Sequence, residues 1–159
     1  MGLFLKRKEI PKKKGYDALT GLKNRDYFHR TYGELGPVKS TEHKVMAVFD
    51  IDHFKAANDI IDGDKVLKDI VAVCLEGLDG KGELMRWGGD EFVAVLNAGP
   101  EESLEIMRGF TERVKKETPV TVSVGLVKIK HEDNFKRNYY RAVQKCYLVK
   151  EMGGNDVKL

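Results

Sequence analysis

Arg86-Trp87-Gly88-Gly89-Asp90-Glu91-Phe92 lies between two apolar runs, Leu84-Met85 and Val93-Ala94-Val95-Leu96, and the pattern predicts a β-hairpin turning at the glycines. Two glycines let charged groups of a ligand approach the backbone closely, because no Cβ intervenes. Two adjacent carboxylates repel each other unless a cation lies between them and a ligand. Gly-Gly and Gly-Asp are also ordinary hairpin dipeptides, so the segment alone fits either a plain turn or a site for a metal ion and a triphosphate.

A second acidic group upstream favours the site. Lys44-Val45-Met46-Ala47-Val48-Phe49 is a continuous apolar run, the signature of a strand buried on both faces, and it leads into Asp50-Ile51-Asp52. The end of such a strand is where α/β sheets present ligand-binding groups. If the hairpin pairs beside this strand, Asp50 and Asp90 converge on one point. Mg²⁺ is usually held by one or two carboxylates together with substrate phosphates, which matches this supply of ligands.

The rest of the chain reads as helices alternating with strands. A first helix is predicted from about Arg25 to Glu34, ending before Gly36-Pro37. Val66, Leu67, Ile70, Val71, Cys74, Leu75 and Leu78 recur at three and four residues, a broad stripe that must face a sheet. Leu104, Met107, Phe110 and Val114 mark another helix, opened by Pro100-Glu101-Glu102. Val120, Val122, Val124 and Leu126 alternate with Thr121, Ser123 and Gly125 as a strand of period two. A last helix carries Phe135, Tyr139, Ala142, Cys146 and Val149 on one face and stops at Gly153-Gly154. The fold class is α/β, a mixed β-sheet layered by helices.

Length and composition set the bounds. The 159 residues suit one domain, taken as 15–159, with 1–14 as a basic tail or linker containing Lys6-Arg7-Lys8 and Lys12-Lys13-Lys14. A net charge of +3 is too small to indicate nucleic acid as a partner. Cys74 and Cys146 fall in apolar helical patterns, so buried free thiols in a reducing cytoplasm are expected. No stretch reaches the length of a membrane span, and membrane contact is conceivable only through residues 1–14. No cleavable signal peptide is expected, because the apolar Leu3-Phe4-Leu5 precedes the charges. His29, His43, His53 and His131 show no metal-ligand spacing.

Four motifs together carry a resemblance. Asp17-Ala18-Leu19-Thr20-Gly21-Leu22-Lys23-Asn24-Arg25, Phe49-Asp50-Ile51-Asp52-His53-Phe54-Lys55-Ala56-Ala57-Asn58-Asp59, Gly88 to Phe92, and Val122-Ser123-Val124-Gly125 stand in the order and spacing of the GGDEF family, and the chain resembles these diguanylate cyclases over nearly its whole length. The resemblance implies a palm-like nucleotide cyclase domain. It also implies a nucleotidyltransferase of bacterial signalling, which joins two GTP molecules into cyclic di-GMP and releases pyrophosphate. The implied cofactor is Mg²⁺, with Mn²⁺ as a substitute, and the implied assembly is a transient two-fold homodimer around two nucleotides.

Carried over position by position, the resemblance implies Asp50, Asp90 and the Ile51 carbonyl as metal ligands and Asp50, Asp90 and Glu91 as the catalytic group. Glu91 would orient a ligand or take part in proton transfer. Asp52 would belong to the same acidic group or cap a helix. Gly88, Gly89 and Phe54 are implied around the substrate, with Lys55 and Lys150 on its triphosphate. Asn58 and Asp64 are implied at the guanine edge, where an amide and a carboxylate satisfy acceptor and donors together.

Three departures accompany the match. The segment Asp59-Ile60-Ile61-Asp62-Gly63 is three residues shorter than in the family and lacks its Gly-His pair. Gly154 stands where the family usually has an arginine, removing one phosphate clamp. Asp79 and Gly82 occupy the positions of the Arg-x-x-Asp pair that binds product in many members, so feedback by that route is expected to be absent. The shortened segment and Gly154 leave a second reading open, a degenerate GGDEF module that binds GTP or a protein partner without turnover.

Overall fold

The computed structural model describes residues 13–32 and 44–159. The basic tail lies almost wholly outside these residues, as does the expected end of the first helix at Glu34. In chain order the elements are β1 (Lys23–Asn24), α1 (Arg25–Tyr32), β2 (Val45–Ile51), α2 (Phe54–Asn58), α3 (Gly63–Leu78), β3 (Gly82–Arg86), β4 (Glu91–Leu96), α4 (Pro100–Glu117), β5 (Val122–Lys128), α5 (Phe135–Glu151) and β6 (Val157–Lys158).

The strands form one mixed sheet in the order β1-β3-β4-β2-β5-β6. β2 is central because it is apolar on both faces, with Val45 to Phe49 no more than 1% exposed. It runs antiparallel to β4 and to β5, and β3 to β4 is the hairpin read from the sequence. The outermost strands, β1 and β6, are two residues each and pair in parallel. Edge strands this short offer little template for pairing with another chain.

Helices cover both faces. On one, α3 and α4 pack over Phe49, Ile51, Phe92, Val124 and Leu126. Phe49 stacks on Phe92 at 5.0 Å and meets Phe110 of α4 at 4.8 Å, and truncating such a buried ring to alanine costs roughly 3–5 kcal/mol. On the other face, Phe28 of α1 and Phe135 and Ala142 of α5 pack over Met46, Val48, Val93 and Val95. Among the described residues no helix is long and apolar enough to cross a membrane.

Some local expectations change. Leu75 lies outside the buried stripe of α3 at 45% exposure, while Val73 is buried. β5 begins at Val122 rather than Val120, and its alternation does not divide a wet face from a dry one. Ser123 is fully buried because α5 covers the face that the polar residues occupy. Both thiols are free and buried, as expected.

Candidate active site

β2 and the hairpin bring the two acidic segments together. Asp50 pairs directly with Glu91 across the β2–β4 ladder, and the Ile51 amide donates to the Asp90 carbonyl at 3.3 Å. Directly opposed residues share one face of a sheet, so Asp50 and Glu91 both point toward α5. Asp90 is a close enough neighbour of Asp50 to raise its carboxyl pKa. Burial pushes the Asp50 carboxyl up to about 7; the Lys150 ammonium opposes the rise and Asp90 adds to it. The pair is therefore under repulsion that added positive charge would relieve.

Lys150, in the last turn of α5, already places one positive charge there. Its Nζ is 2.8 Å from Asp50 Oδ1 and 3.4 Å from the Ile51 carbonyl. Burial pulls the ammonium pKa down, but Asp50 outweighs that and leaves it raised. Among the described residues no three His, Cys, Asp or Glu side chains form a metal-binding group. The two carboxylates and one carbonyl that would hold a metal form a hard-oxygen set that suits Mg²⁺ or Mn²⁺ with phosphates completing the shell. The Lys150 ammonium rests against two of those three donors.

The turn glycines are not demanded by the backbone. Neither Gly88 nor Gly89 has a positive φ. A Cβ at Gly89 would meet nothing within 4 Å, and one at Gly88 only Glu91 Cβ at 3.7 Å. The fold would accept alanine at both positions, so neither glycine is required by the packing or by its φ.

α2 and the start of α3 carry the other candidates. Phe54 packs against the core, while Lys55, Asn58 and Asp64 are exposed. The short 59–63 segment closes because Asp62 caps α3, accepting from the Lys65 amide at 3.2 Å, and because residue 63 has no side chain. A Cβ at Gly63 would fall 1.9 Å from Asn58 Oδ1. Asn58 is thus laid over Gly63, the residue that precedes Asp64 in the chain.

Asp52 is a structural hub rather than a helix cap. The N-cap of α2 is His53, in the left-handed region at φ 52°. Asp52 is buried and accepts from the Thr121 hydroxyl at 2.7 Å, the Ser123 hydroxyl at 2.6 Å and the Asn155 amide at 2.8 Å. It ties the turn after α5 to β5. Gly154 sits in that turn at φ +74°, and a Cβ there would lie 2.7 Å from Asp52 Oδ2. The glycine at this position therefore serves the turn.

Two contributors were not singled out from the sequence. Arg86 donates to both Asp17 oxygens at 3.0 Å and to the Gly89 carbonyl at 2.7 Å, linking the Asp17–Leu22 segment to the signature turn. Tyr139, read only as part of a packing face, donates its hydroxyl to Glu91 Oε1. Their signal was faint: an arginine beside the signature, and a tyrosine with a polar tip in a buried stripe. Asp79 and Gly82 are occupied otherwise, Asp79 ending α3 at φ 46° and Gly82 opening β3.

A family model for the diguanylate cyclase GGDEF domain matches residues 14–156. The chain belongs to the GGDEF family. Diguanylate cyclase DgcP of Pseudomonas aeruginosa is 33% identical over 86% of this chain and 22% of its own length. Diguanylate cyclase VdcA of Vibrio cholerae is 29% identical over 89% of this chain and 46% of its own. This GGDEF chain thus spans between about a fifth and a half of those relatives. Among solved structures, the GGDEF domain of DgcB from Caulobacter crescentus, in complex with c-di-GMP, superposes with a TM-score of 0.82 at 24% identity, covering 94% of both chains. That likeness shows that the mixed sheet with helices on both faces is the GGDEF fold.

Proposed function

We propose that this domain is a diguanylate cyclase that condenses two GTP into cyclic di-GMP. The observation that carries the reading is the convergence of Asp50, Asp90, the Ile51 carbonyl and Lys150 beside a two-glycine turn that the backbone does not require. Family membership and relatives named as diguanylate cyclases support the same conclusion.

In this reading Asp50, Asp90 and the Ile51 carbonyl would hold Mg²⁺, or Mn²⁺ in its place, and the chemistry supplied there would be Lewis-acid neutralisation of triphosphate charge. Gly88 and Gly89 let the phosphates approach the main chain. Lys55 and Lys150 contribute positive charge to the triphosphate, Lys150 by leaving Asp50 for phosphate oxygen. Asn58 and Asp64 meet the guanine edge, and Phe54 supports α2 from below. The 3′-oxygen of one GTP bonds to the α-phosphorus of the other as the bond to the β-phosphate bridging oxygen breaks. Pyrophosphate leaves, and the hydroxyl proton passes to water or a site carboxylate. A second, identical step closes the ring.

One set of acids serves one nucleotide, so two chains face each other about a two-fold axis during the reaction. The reaction belongs to the cytoplasm, in keeping with two free buried thiols. The alternative of a module without turnover is not favoured, because Asp50, Asp90, Glu91 and Lys150 remain together at a cost in repulsion. Incubation with each nucleoside triphosphate and Mg²⁺, followed by mass analysis, tests the proposal. Cyclic di-GMP from GTP alone is expected, at a specific activity rising with protein concentration; unchanged GTP would overturn it.

A further inference from the structure

α5 reaches the acidic group at two places. Lys150, near its end, holds Asp50, and Tyr139, near its start, donates to Glu91. Because Asp50 and Glu91 are direct ladder partners, one helix grips both members of the pair.

The phenol is fixed in place. Its ring centroid lies 5.1 Å from that of Trp87 and 6.3 Å from that of Phe135, the latter at an interplanar angle of 11°. Phe135 in turn rests 3.9 Å from Phe28 of α1. Trp87 also closes the signature turn, its amide donating to the Glu91 carbonyl at 2.8 Å. The residue that shapes the turn is therefore also the wall against which Tyr139 packs. Burial, and Glu91 as acceptor, push the phenol pKa up, so the hydroxyl stays protonated and keeps a proton to donate to Glu91.

We propose that Tyr139 is a positioning residue that sorts the two adjacent signature carboxylates, anchoring Glu91 against α5 so that Asp90 alone joins Asp50 at the cation. Without this anchor Glu91 is free to swing toward Asp50, its neighbour across the ladder, and crowd a third carboxylate into the group. Repulsion would then disturb the geometry in which the triphosphate is held, and turnover would suffer more than GTP binding. The inference rests on the cyclase reading for its effect on turnover, and on geometry alone for the anchoring contact.

The test uses the full chain and the variants Tyr139→Phe, Glu91→Gln and the double variant. Phenylalanine keeps the ring stack and removes only the hydroxyl. Its kcat should fall about tenfold or more, with KM for GTP within about twofold and the thermal midpoint close to wild type. In the Glu91→Gln background the same change should cost less than about twofold, since the partner charge is already gone. The ¹³C resonance of the Glu91 side-chain carboxyl, assigned by its loss in Glu91→Gln, should shift in Tyr139→Phe. An active wild type with an equally active Tyr139→Phe, or an undiminished effect in the Glu91→Gln background, overturns the inference. An unmoved Glu91 carboxyl resonance overturns it whether or not the protein turns over GTP. A wild type that makes no cyclic di-GMP while that resonance shifts counts against the cyclase reading and leaves the anchoring contact standing.

Discussion

Arg86 clasps Asp17 across 69 residues of sequence, one guanidinium nitrogen lying 3.0 Å from both carboxylate oxygens, while the same side chain holds the Gly89 carbonyl of the signature turn. The pair is mostly buried, with side chains 15% and 19% exposed. Asp17 also accepts from the Thr20 amide at 2.8 Å and the Thr20 hydroxyl at 2.6 Å. The turn is thereby tied to the segment that precedes the first strand.

This clasp has a pH signature. Burial alone would raise the Asp17 carboxyl, but the Thr20 hydroxyl and amide and the Arg86 guanidinium outweigh it and hold it below its ordinary 3.8. A carboxylate held low in the fold contributes stability that is full above its ordinary value and is lost as pH falls through the lower folded value. Arg86→Met should lower the unfolding free energy at pH 7 by about 1–3 kcal/mol. Urea titrations at successive pH values should show the gap to wild type closing below 3.8. A gap unchanged down to roughly pH 2 would mean that the lost stability does not come from Asp17.

Replacing Asp90 with alanine should remove synthesis while leaving the thermal midpoint within a few degrees of wild type. The side chain sits on a turn and fills no core space. Binding of Mn²⁺ with GTP, followed by calorimetry, should weaken in parallel. Near wild-type turnover with Mg²⁺ would remove Asp90 from the metal ligands.

Gly89→Ala separates ligand approach from folding. The added methyl meets no protein atom within 4 Å, so stability should change by less than about 0.5 kcal/mol. GTP affinity should nevertheless drop, on the order of tenfold, through crowding of the phosphates. Equal GTP affinity in the two proteins would assign the glycines to the turn alone.

Asp52→Ala should behave as a folding defect. Three donors, from Thr121, Ser123 and Asn155, lose a charged acceptor in a buried place. Denaturant unfolding should register a loss of roughly 2–3 kcal/mol. Wild-type stability with abolished activity would instead put Asp52 among the groups that touch the nucleotide.

Restoring the family's arginine at position 154 should fail. Gly154 has φ +74°, and its missing Cβ would press on an Asp52 carboxylate that three hydrogen bonds keep from moving. Gly154→Arg should cost roughly 1–3 kcal/mol of stability. Calorimetry should show no gain in GTP affinity; a clear gain on an undamaged fold would mean that the turn adapts.

The amino-acid sequence by itself determined the longer helices and strands, though not the short β1, α2 and β6. The apolar run from Val45 to Phe49 marked a strand with no wet face, the three-and-four spacing from Val66 to Leu78 marked the helix over it, and two glycines before two acids marked the turn. These are local patterns, legible because a helix or strand repeats within a few residues. The tertiary structure decided which residues meet. Asp50 came opposite Glu91 through the β2–β4 register, and Lys150 and Tyr139 closed on that pair from one helix 11 residues apart in sequence. Asp52 turned inward to accept from the Asn155 amide, and Gly63 left the space that the Asn58 side chain fills. Such contacts depend on strand register and on how closely a helix packs to the sheet, quantities that no local repeat encodes. For that reason Asp52 could be read as a cap, Tyr139 as mere packing and Gly154 as a simple loss, until the fold put a partner beside each.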